Sequence, residues 1–537
     1  MGEKEVTKDL TRRNFMKGAA LGAGAIAVAG VGGAKDAYAV PPPKKWDMEA
    51  DVVVVGYGGA GACAAIEAKD AGSEVLILEK APATTQGGNT GCCAGYLLPP
   101  ATVEGGIEYH KALGFGTVED EELIKTFVEA IRAVPDWMKS LGAPIEVLEK
   151  NRPGTFPKLP GSKIDYVRVL GGGHVAFKLL MEQVEKRKIK VLNETPVQQL
   201  VQDGNTGAVL GVMAKNNSKT IAVKARKAVV LACGGYENNP KMQSNFNFPG
   251  LRFYPWGTPY NTGDGIWMSS AVGAKLWHLP SLEWASFGMK PASEKLGTGV
   301  PLAYATVSGN YIFVNKYGKR FMDETKHLGH YKGPIEATFF DHENAEHANM
   351  PCFMIFDEEF RKKGPIVPKN YWPKQNVGWA AVHKTFEGWS QDNMAEIEKG
   401  WIVKADSVEE LAKKMGIDGK ALAATIPAFN QFAVAAKDAE FARGSKTMAP
   451  VKTPPFYAIE LCLTTINTQG GPVHNAKSQV IDVNNKAIPR LYAAGELGSI
   501  FGFLYQGGNN FPEALAFGRI AGKNAAAEKA WSKKGQK

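Results

Sequence analysis

The residues whose spacing carries the most chemistry are Gly56-Tyr57-Gly58-Gly59-Ala60-Gly61, together with Glu79 and Lys80 further on. Gly56 permits a tight turn, Gly58 lets the backbone approach a pyrophosphate, and Gly61 lets a helix lie close on a strand. Gly59 and Ala60 keep that approach free of bulk. A helix opening at this turn aims unpaired N–H groups at phosphates. Glu79 stands 23 residues after Gly56, where it can accept bonds from a ribose 2′-OH, which disfavours a 2′-phosphate. The chemistry implied is that of a bound redox dinucleotide, and the motif by itself does not choose between a nicotinamide and a flavin.

The elements that must hold this turn are legible around it. Asp51 to Val55 is a β-branched run typical of a buried parallel strand, and an alanine-rich helix is expected over Ala62–Ala71. A second strand, Glu74–Leu78, ends at Glu79. Gly87-Gly88-Asn89-Thr90 supplies another close-approach loop. A strand over Ala228–Ala232 runs into Gly234-Gly235, a strand-end pair where backbone can meet a cofactor. Near the C-terminus a short strand leads into Gly495-Glu496, followed by Gly508-Asn509 and a helix over about Ala514–Lys523. A dinucleotide fold closed by chain from the far C-terminus is an FAD arrangement, and no second glycine motif for NAD appears.

Length and composition add bounds. The chain has 537 residues, 44% hydrophobic and 22% charged, enough for a large core and more than one domain. Residues 1–39 read as an export signal: Arg12-Arg13, a Gly/Ala-rich apolar run from Gly18 to Ala34, then Ala37-Tyr38-Ala39 as a cleavage site. The apolar run is too short and glycine-rich to favour a spanning helix, so a periplasmic or otherwise extracytoplasmic protein with no membrane span after cleavage is expected. The formal charge of +9 includes +2 from this segment. No basic stripe is interleaved with aromatics, which argues against nucleic acid; a mildly basic balance favours an acidic redox partner. The six cysteines form neither C-x-x-C nor a haem or iron–sulfur pattern, and no metal site is expected. Electrons must therefore be exchanged with a separate partner.

Taken in order, Gly56–Gly61 with Glu79, Gly87-Gly88-Asn89, Leu231–Tyr236, Thr262-Gly263-Asp264-Gly265, Asn315–Phe321, Gly470-Gly471, Leu491–Glu496 and Phe517–Gly522 resemble the fumarate reductase/succinate dehydrogenase flavoprotein superfamily. The resemblance is to its soluble branch of flavocytochrome c fumarate reductases, urocanate reductases and 3-ketosteroid dehydrogenases, and runs from about Ala50 to Ala526. It implies an α/β fold, a Rossmann-type FAD-binding domain (45–281 and 468–533) interrupted by an α+β capping domain (282–467). It also implies that Asp264, Gly495, Glu496, Gly508 and Asn509 join the glycine motifs at the cofactor. The implied reaction is hydride exchange between the flavin and a C=C/C–C bond beside a carbonyl. Where covalently flavinylated members carry a histidine, this chain has Thr84-Thr85-Gln86, so non-covalent FAD is expected.

The departures bear on the substrate. Positions that carry arginines and histidines in fumarate reductases match Leu328, Tyr505, Asn467 and Trp284 here. The anion clamp is lost, and fumarate is disfavoured. Trp256, Tyr260, Trp284, Phe287, Phe501, Phe503 and Tyr505 fall in segments that line the site in relatives, some of them expected to be ordinary core rings. The substrate-binding set expected is Trp284, Asn467, Phe503 and Tyr505. Tyr505 lies where 3-ketosteroid dehydrogenases place a tyrosine on the substrate ketone, and is a candidate to polarise a carbonyl or give a proton. His330 and Tyr331 are the other catalytic candidates, standing near the position where the cap's tyrosine is missing. The implied substrate is bulky and largely uncharged or aromatic, steroid-like or phenylpropenoid-like. A dehydrogenase passing electrons to a cytochrome or quinone, and a flavin electron-transfer subunit, remain as alternatives.

Overall fold

The strand Met48–Val55, which leads into the glycine turn, is held from both sides because its valines have no polar face to give to water. On one side it pairs in parallel with Val75–Leu78, which pairs in parallel with Lys190–Leu192. On the other it pairs in parallel with Lys219–Leu231. That long strand serves two neighbours in turn: its first half is antiparallel to Val209–Asn216, and its second half is parallel to Ala487–Ala493. The resulting nine-stranded sheet is the Rossmann-type core expected, with the far C-terminal strand inside it. This computed structural model describes residues 39–302, 309–326, 334–367, 377–386 and 388–531, the side chains of 284 and 285 apart. The export reading of residues 1–38 lies outside them.

The helix after Met48–Val55 spans Gly59–Asp70, starting three residues before the expected Ala62 because the motif's own residues form its first turn. Gly58 gives no side-chain cap and Gly59 N–H donates to Thr90 Oγ1 at 3.0 Å, while the N–H groups of Ala60 and Gly61 have no intrahelical partner and stay available. The last helix is also longer than expected, Asn510–Ala527; Pro512 sits in its first turn, where a missing N–H costs nothing. The two helices pack backbone to backbone: a methyl on Gly518 would meet the Ala60 carbonyl at 2.5 Å, and one on Gly522 would strike that of Ala64.

A second sheet is organised on one strand of 13 residues, Phe456–Thr468. Cys352–Asp357 and Leu282–Met289 lie antiparallel to it, and Tyr311–Asn315 lies beyond Cys352–Asp357. Phe253–Pro255 adds in parallel. Its core is aromatic, with Phe287, Tyr311, Phe313 and Phe356 fully buried. Leu282 stands opposite Thr468, so the chain enters and leaves this layer as one antiparallel pair. Tyr236 N–H donates to Thr468 Oγ1 at 2.8 Å, which fastens that pair to the end of the nucleotide sheet. The fold class is thus α/β, as the motifs imply.

Candidate functional site

A cavity of about 350 Å³ lies over the ends of the parallel strands, where the glycine turn, the second sheet and the C-terminal loop meet. Of the residues expected at a cofactor, Gly56, Gly58, Gly59, Ala60, Glu79, Lys80, Gly88, Asn89, Thr90, Gly234, Asp264, Gly495, Glu496 and Gly508 line it. Gly61, Gly87, Gly235 and Asn509 stand behind the wall. Gly61 and Gly56 are required by packing, since a methyl on Gly61 would overlap the Gly56 carbonyl. Gly58 differs. A methyl there meets only the Gly87 carbonyl, at 3.6 Å, and would project into the cavity. That glycine keeps room for a ligand beside the N–H groups of Ala60 and Gly61 in the first helical turn, which is the fit a pyrophosphate requires.

The two ends of the cavity differ in chemistry. At one, Glu79 accepts from the N–H groups of Tyr57 and Ala81, each at 2.6 Å, and burial holds its carboxyl above the usual range against those bonds. Lys80 Nζ bonds Asp264 and Thr262, both at 2.6 Å. This end suits the hydroxyls of a ribose. Trp256, Asn467 and Tyr505 line the wall away from the Lys80–Asp264 pair, and Tyr260, two residues from Thr262, also lines it, with its hydroxyl 3.2 Å from that of Thr85. Tyr505 is 5% exposed, and its Oη accepts from Gly508 N–H at 2.9 Å and Asn510 N–H at 3.1 Å. Burial pushes its pKa up and keeps the phenol neutral, so the hydroxyl retains its proton.

Between the ends sits a pair of carboxylates. Asn89 Nδ2 donates to Glu237 at 2.9 Å and to Glu496 at 2.9 Å, and Asn261 Nδ2 donates to the same two at 2.7 and 3.3 Å. Asn467 Nδ2 adds 2.7 Å to Glu496, and Thr468 Oγ1 adds 3.1 Å to Glu237. These donors are all neutral. Burial, then repulsion from Glu237, pushes Glu496 up to about 8, and burial raises Glu237 as well. Glu513 is fully buried, bonds Ser499 Oγ and Ile500 N–H at 2.8 Å each, and is pushed by burial up to about 7.

The other expected residues fall as follows. Asn509 is fully buried, with no partner for its carboxamide among the described residues. Asn467 is committed to Glu496 as well as to the wall. Phe503 is 52% exposed and packs on Phe115, facing away from the cavity lining. Phe287 and Phe501 are core rings, the latter perpendicular to Tyr505 at 5.0 Å. Trp284 pairs with Thr465 through its backbone; its side chain, with His330 and Tyr331, lies outside the described residues.

Two contributions were not anticipated. Glu237 follows the glycine pair of Cys233-Gly234-Gly235-Tyr236 and was signalled only by being a carboxylate just past a strand end. Val377 and Gly378 also line the cavity, tied across it by Gly378 N–H to Cys92 O at 2.8 Å and Trp379 N–H to Trp256 O at 2.7 Å. No motif marked them, because they are held by backbone bonds and by the positive φ of a single glycine, Gly378, which stands alone in the sequence.

Comparison with known proteins agrees with this geometry. A family model described as FAD binding domain matches residues 51–511. The chain is 29% identical over 491 residues to NADH:fumarate oxidoreductase of Klebsiella pneumoniae, covering 89% of this chain and spanning about half, 47%, of that protein. It is 28% identical over 599 residues to digoxin reductase of Eggerthella lenta, with 98% of each chain covered. Among solved structures, 3-ketosteroid Δ1-dehydrogenase from Sterolibacterium denitrificans, in complex with 1,4-androstadiene-3,17-dione, superposes with a TM-score of 0.73 at 21% identity, covering 89% of this chain and all of that one. Among the described residues no helix is long and apolar enough to cross a membrane, and no group of side chains is arranged to hold a metal. The chain therefore belongs to the FAD binding domain family, among the flavoproteins related to fumarate reductase, and is an FAD-dependent oxidoreductase.

Proposed function

We propose that this enzyme reduces, or in reverse forms, a C=C bond beside a carbonyl in a bulky, largely uncharged or aromatic substrate, and that fumarate is not its substrate. One observation carries the reading. Among the described residues of the cavity wall the only lysine or arginine is Lys80, and it is engaged by Asp264 at 2.6 Å. A dicarboxylate brought into this wall would face Glu496 and aromatic rings with no cation to compensate its desolvation. An enone carbonyl needs only one good donor, and Tyr505, a hydroxyl on the cavity wall, is the residue proposed to supply it.

FAD, when bound, supplies hydride exchange with the substrate carbon. The chain's own residues do the rest. Gly58 and the first turn of Gly59–Asp70 receive the phosphates, and Glu79 receives the ribose. Trp256 and Tyr260 exclude water and flank an apolar ring. Tyr505 holds the carbonyl oxygen through its O–H, drawing electron density from the double bond.

The FAD is held without a covalent link; acid precipitation should leave the flavin in the supernatant. The protein is exported through the twin-arginine pathway, so replacing Arg12 and Arg13 by lysine should retain it in the cytoplasm on fractionation. The substrate reading is tested by reducing the FAD-loaded enzyme without oxygen and following flavin reoxidation by fumarate, urocanate, cinnamate-type acids and 3-keto-4-ene steroids. Fast reoxidation by an uncharged enone and none by fumarate is the expected result. Fast reoxidation by fumarate would sink it.

A further inference from the structure

The largest exposed ring on the nucleotide-binding side is Phe115, 63% exposed at the left-handed C-cap of the helix Val103–Gly114. It packs edge-to-face on Phe503, 52% exposed, with ring centroids 5.1 Å apart. Two solvent-facing phenylalanines in contact leave an apolar face that a folded chain normally covers. The pair is rigidly placed: Leu504 N–H donates to Leu113 O at 3.1 Å, and Gly502 lies so close to Thr117 that a methyl there would collide with it.

The charge around this pair runs against that of the whole chain. Glu119, Asp120, Glu121 and Glu122 are all exposed immediately beyond Phe115, and Glu104 and Glu108 lie exposed on the helix leading to it. Lys111 is the sole lysine or arginine between 103 and 122, and it is paired with Glu121. A chain of formal charge +9 thus presents an acidic frame around an apolar centre. The mildly basic overall balance points to an acidic partner; close to the surface the local frame wins, because exposed charges are screened beyond about 10 Å.

The patch also has the right depth. Phe503 stands two residues from Tyr505, which lines the cavity, so the backbone between them spans at most about 7 Å. The outer side of the loop faces solvent while its inner side walls the site.

We propose that the Phe115–Phe503 face is the docking surface for a small one-electron carrier protein whose redox centre has an apolar edge framed by lysines. This rests on the reading that electrons reach or leave the enzyme through a separate partner. Transient redox encounters use small interfaces of this kind, with an apolar contact and charges that steer approach. In the reducing direction two carriers each give one electron, water supplies two protons, and one C=C becomes CH–CH; in the oxidising direction every term is reversed.

The test mixes reduced, FAD-loaded enzyme with an oxidised basic c-type cytochrome as probe and measures the second-order rate against ionic strength. The rate should fall steeply as salt is raised. In the variant F115S/E108Q/E119Q/E122Q it should be roughly tenfold lower at low salt and nearly salt-independent. Reoxidation by a small neutral quinone should be unchanged in that variant, which shows that fold and flavin are intact. A cytochrome rate equal in the variant and the wild type, or one that rises with salt, would overturn the proposal. So would salt-independent transfer accompanied by cosedimentation with neutral phosphatidylcholine vesicles that F115S abolishes, since the face would then serve a lipid surface. The substrate panel is read in the same enzyme without cytochrome, so failure of the enone reading leaves this result standing and the reverse also holds.

Discussion

Tyr505 has the most to lose from a single atom. Its oxygen accepts two backbone N–H groups and its hydroxyl carries the proton proposed to hold the carbonyl, so Y505F removes both functions at once. Losing a positioned donor to a carbonyl typically costs 10²–10⁴ in rate. The two N–H groups left unpaired cost about 1–3 kcal/mol each if no water replaces the oxygen. Y505F should therefore bind FAD, lose roughly two to four orders of magnitude in enone reoxidation, and melt a few degrees lower. A variant that turns over at wild-type rate would remove Tyr505 from the chemistry. Glu237 makes a contrasting residue-scale case. E237Q keeps an acceptor for Asn89 and Asn261 while deleting the charge that repels Glu496. Glu496 should then ionise at lower pH, seen as a downward shift of its band in carboxyl infrared difference spectra.

At the scale of elements the decisive contact is helix on helix. Gly518 and Gly522 lie four apart and press on Ala60 and Ala64, also four apart, so the glycine turn and the C-terminal helix share one close seam. G522V would force a branched side chain against the Ala64 carbonyl. Overpacking of this sort costs typically 1–3 kcal/mol, and here it pries the phosphate-binding turn off its support. The expected result is a lower melting temperature with a reduced flavin-to-protein ratio, measured from absorbance after gel filtration. Unchanged flavin content would show that the seam does not govern the turn. The second layer has its own keystone. Arg320 is 7% exposed and bonds Glu324 at 2.7 Å and Asp438 at 2.9 Å, with Arg443 also on Glu324 at 3.2 Å. R320L leaves two buried carboxylates under-paired, which costs about 3–5 kcal/mol, and should unfold the layer early in a chaotrope titration.

These elements also show how far a sequence can be read. The phosphate turn was legible because three glycines at fixed offsets are there for backbone geometry, and geometry of that kind leaves residue types behind. The C-terminal strand and helix were legible for the same reason, through Gly495 and Gly508. Both helices start about a turn earlier than their apolar runs, because glycines open the helix Gly59–Asp70 and Pro512 stands in the first turn of Asn510–Ala527, and both residue types look like loop. Phe503 looked like lining by its place in the chain, yet faces solvent, because the side-chain direction in an irregular loop has no periodicity to betray it. Glu237 and Gly378 reach the site from segments distant in sequence, through contacts that only the folded layers create.

The molecule as a whole should record its buried carboxylates in its pH profile. Glu237 and Glu496 are raised, Glu496 to about 8, and Glu513 is raised to about 7. A carboxyl held above its unfolded value binds a proton in the folded state that the unfolded chain has already released, so stability falls with rising pH between the two values. For Glu496 that window runs from the ordinary carboxylate range up to about 8. Two buried histidines work in the opposite sense. His110 and His474 are pushed by burial down to about 4, so each favours the folded state more as pH rises from there to the ordinary histidine value near 6.5. Below that value the two tendencies oppose one another; above it the histidine contribution is complete and only the carboxylates still change. Melting temperature should therefore decline from pH 6.5 toward pH 8, where no further histidine gain offsets the carboxylates. Each carboxyl still titrating contributes a slope of up to about 1.4 kcal/mol per pH unit. E496Q carries no titrating proton at that position, so its melting curve should flatten between pH 6.5 and 8. A wild-type profile that is flat over that interval, or an E496Q profile with an undiminished decline, would mean that the pair is ionised in the folded enzyme and that its neutral donors hold two negative charges side by side.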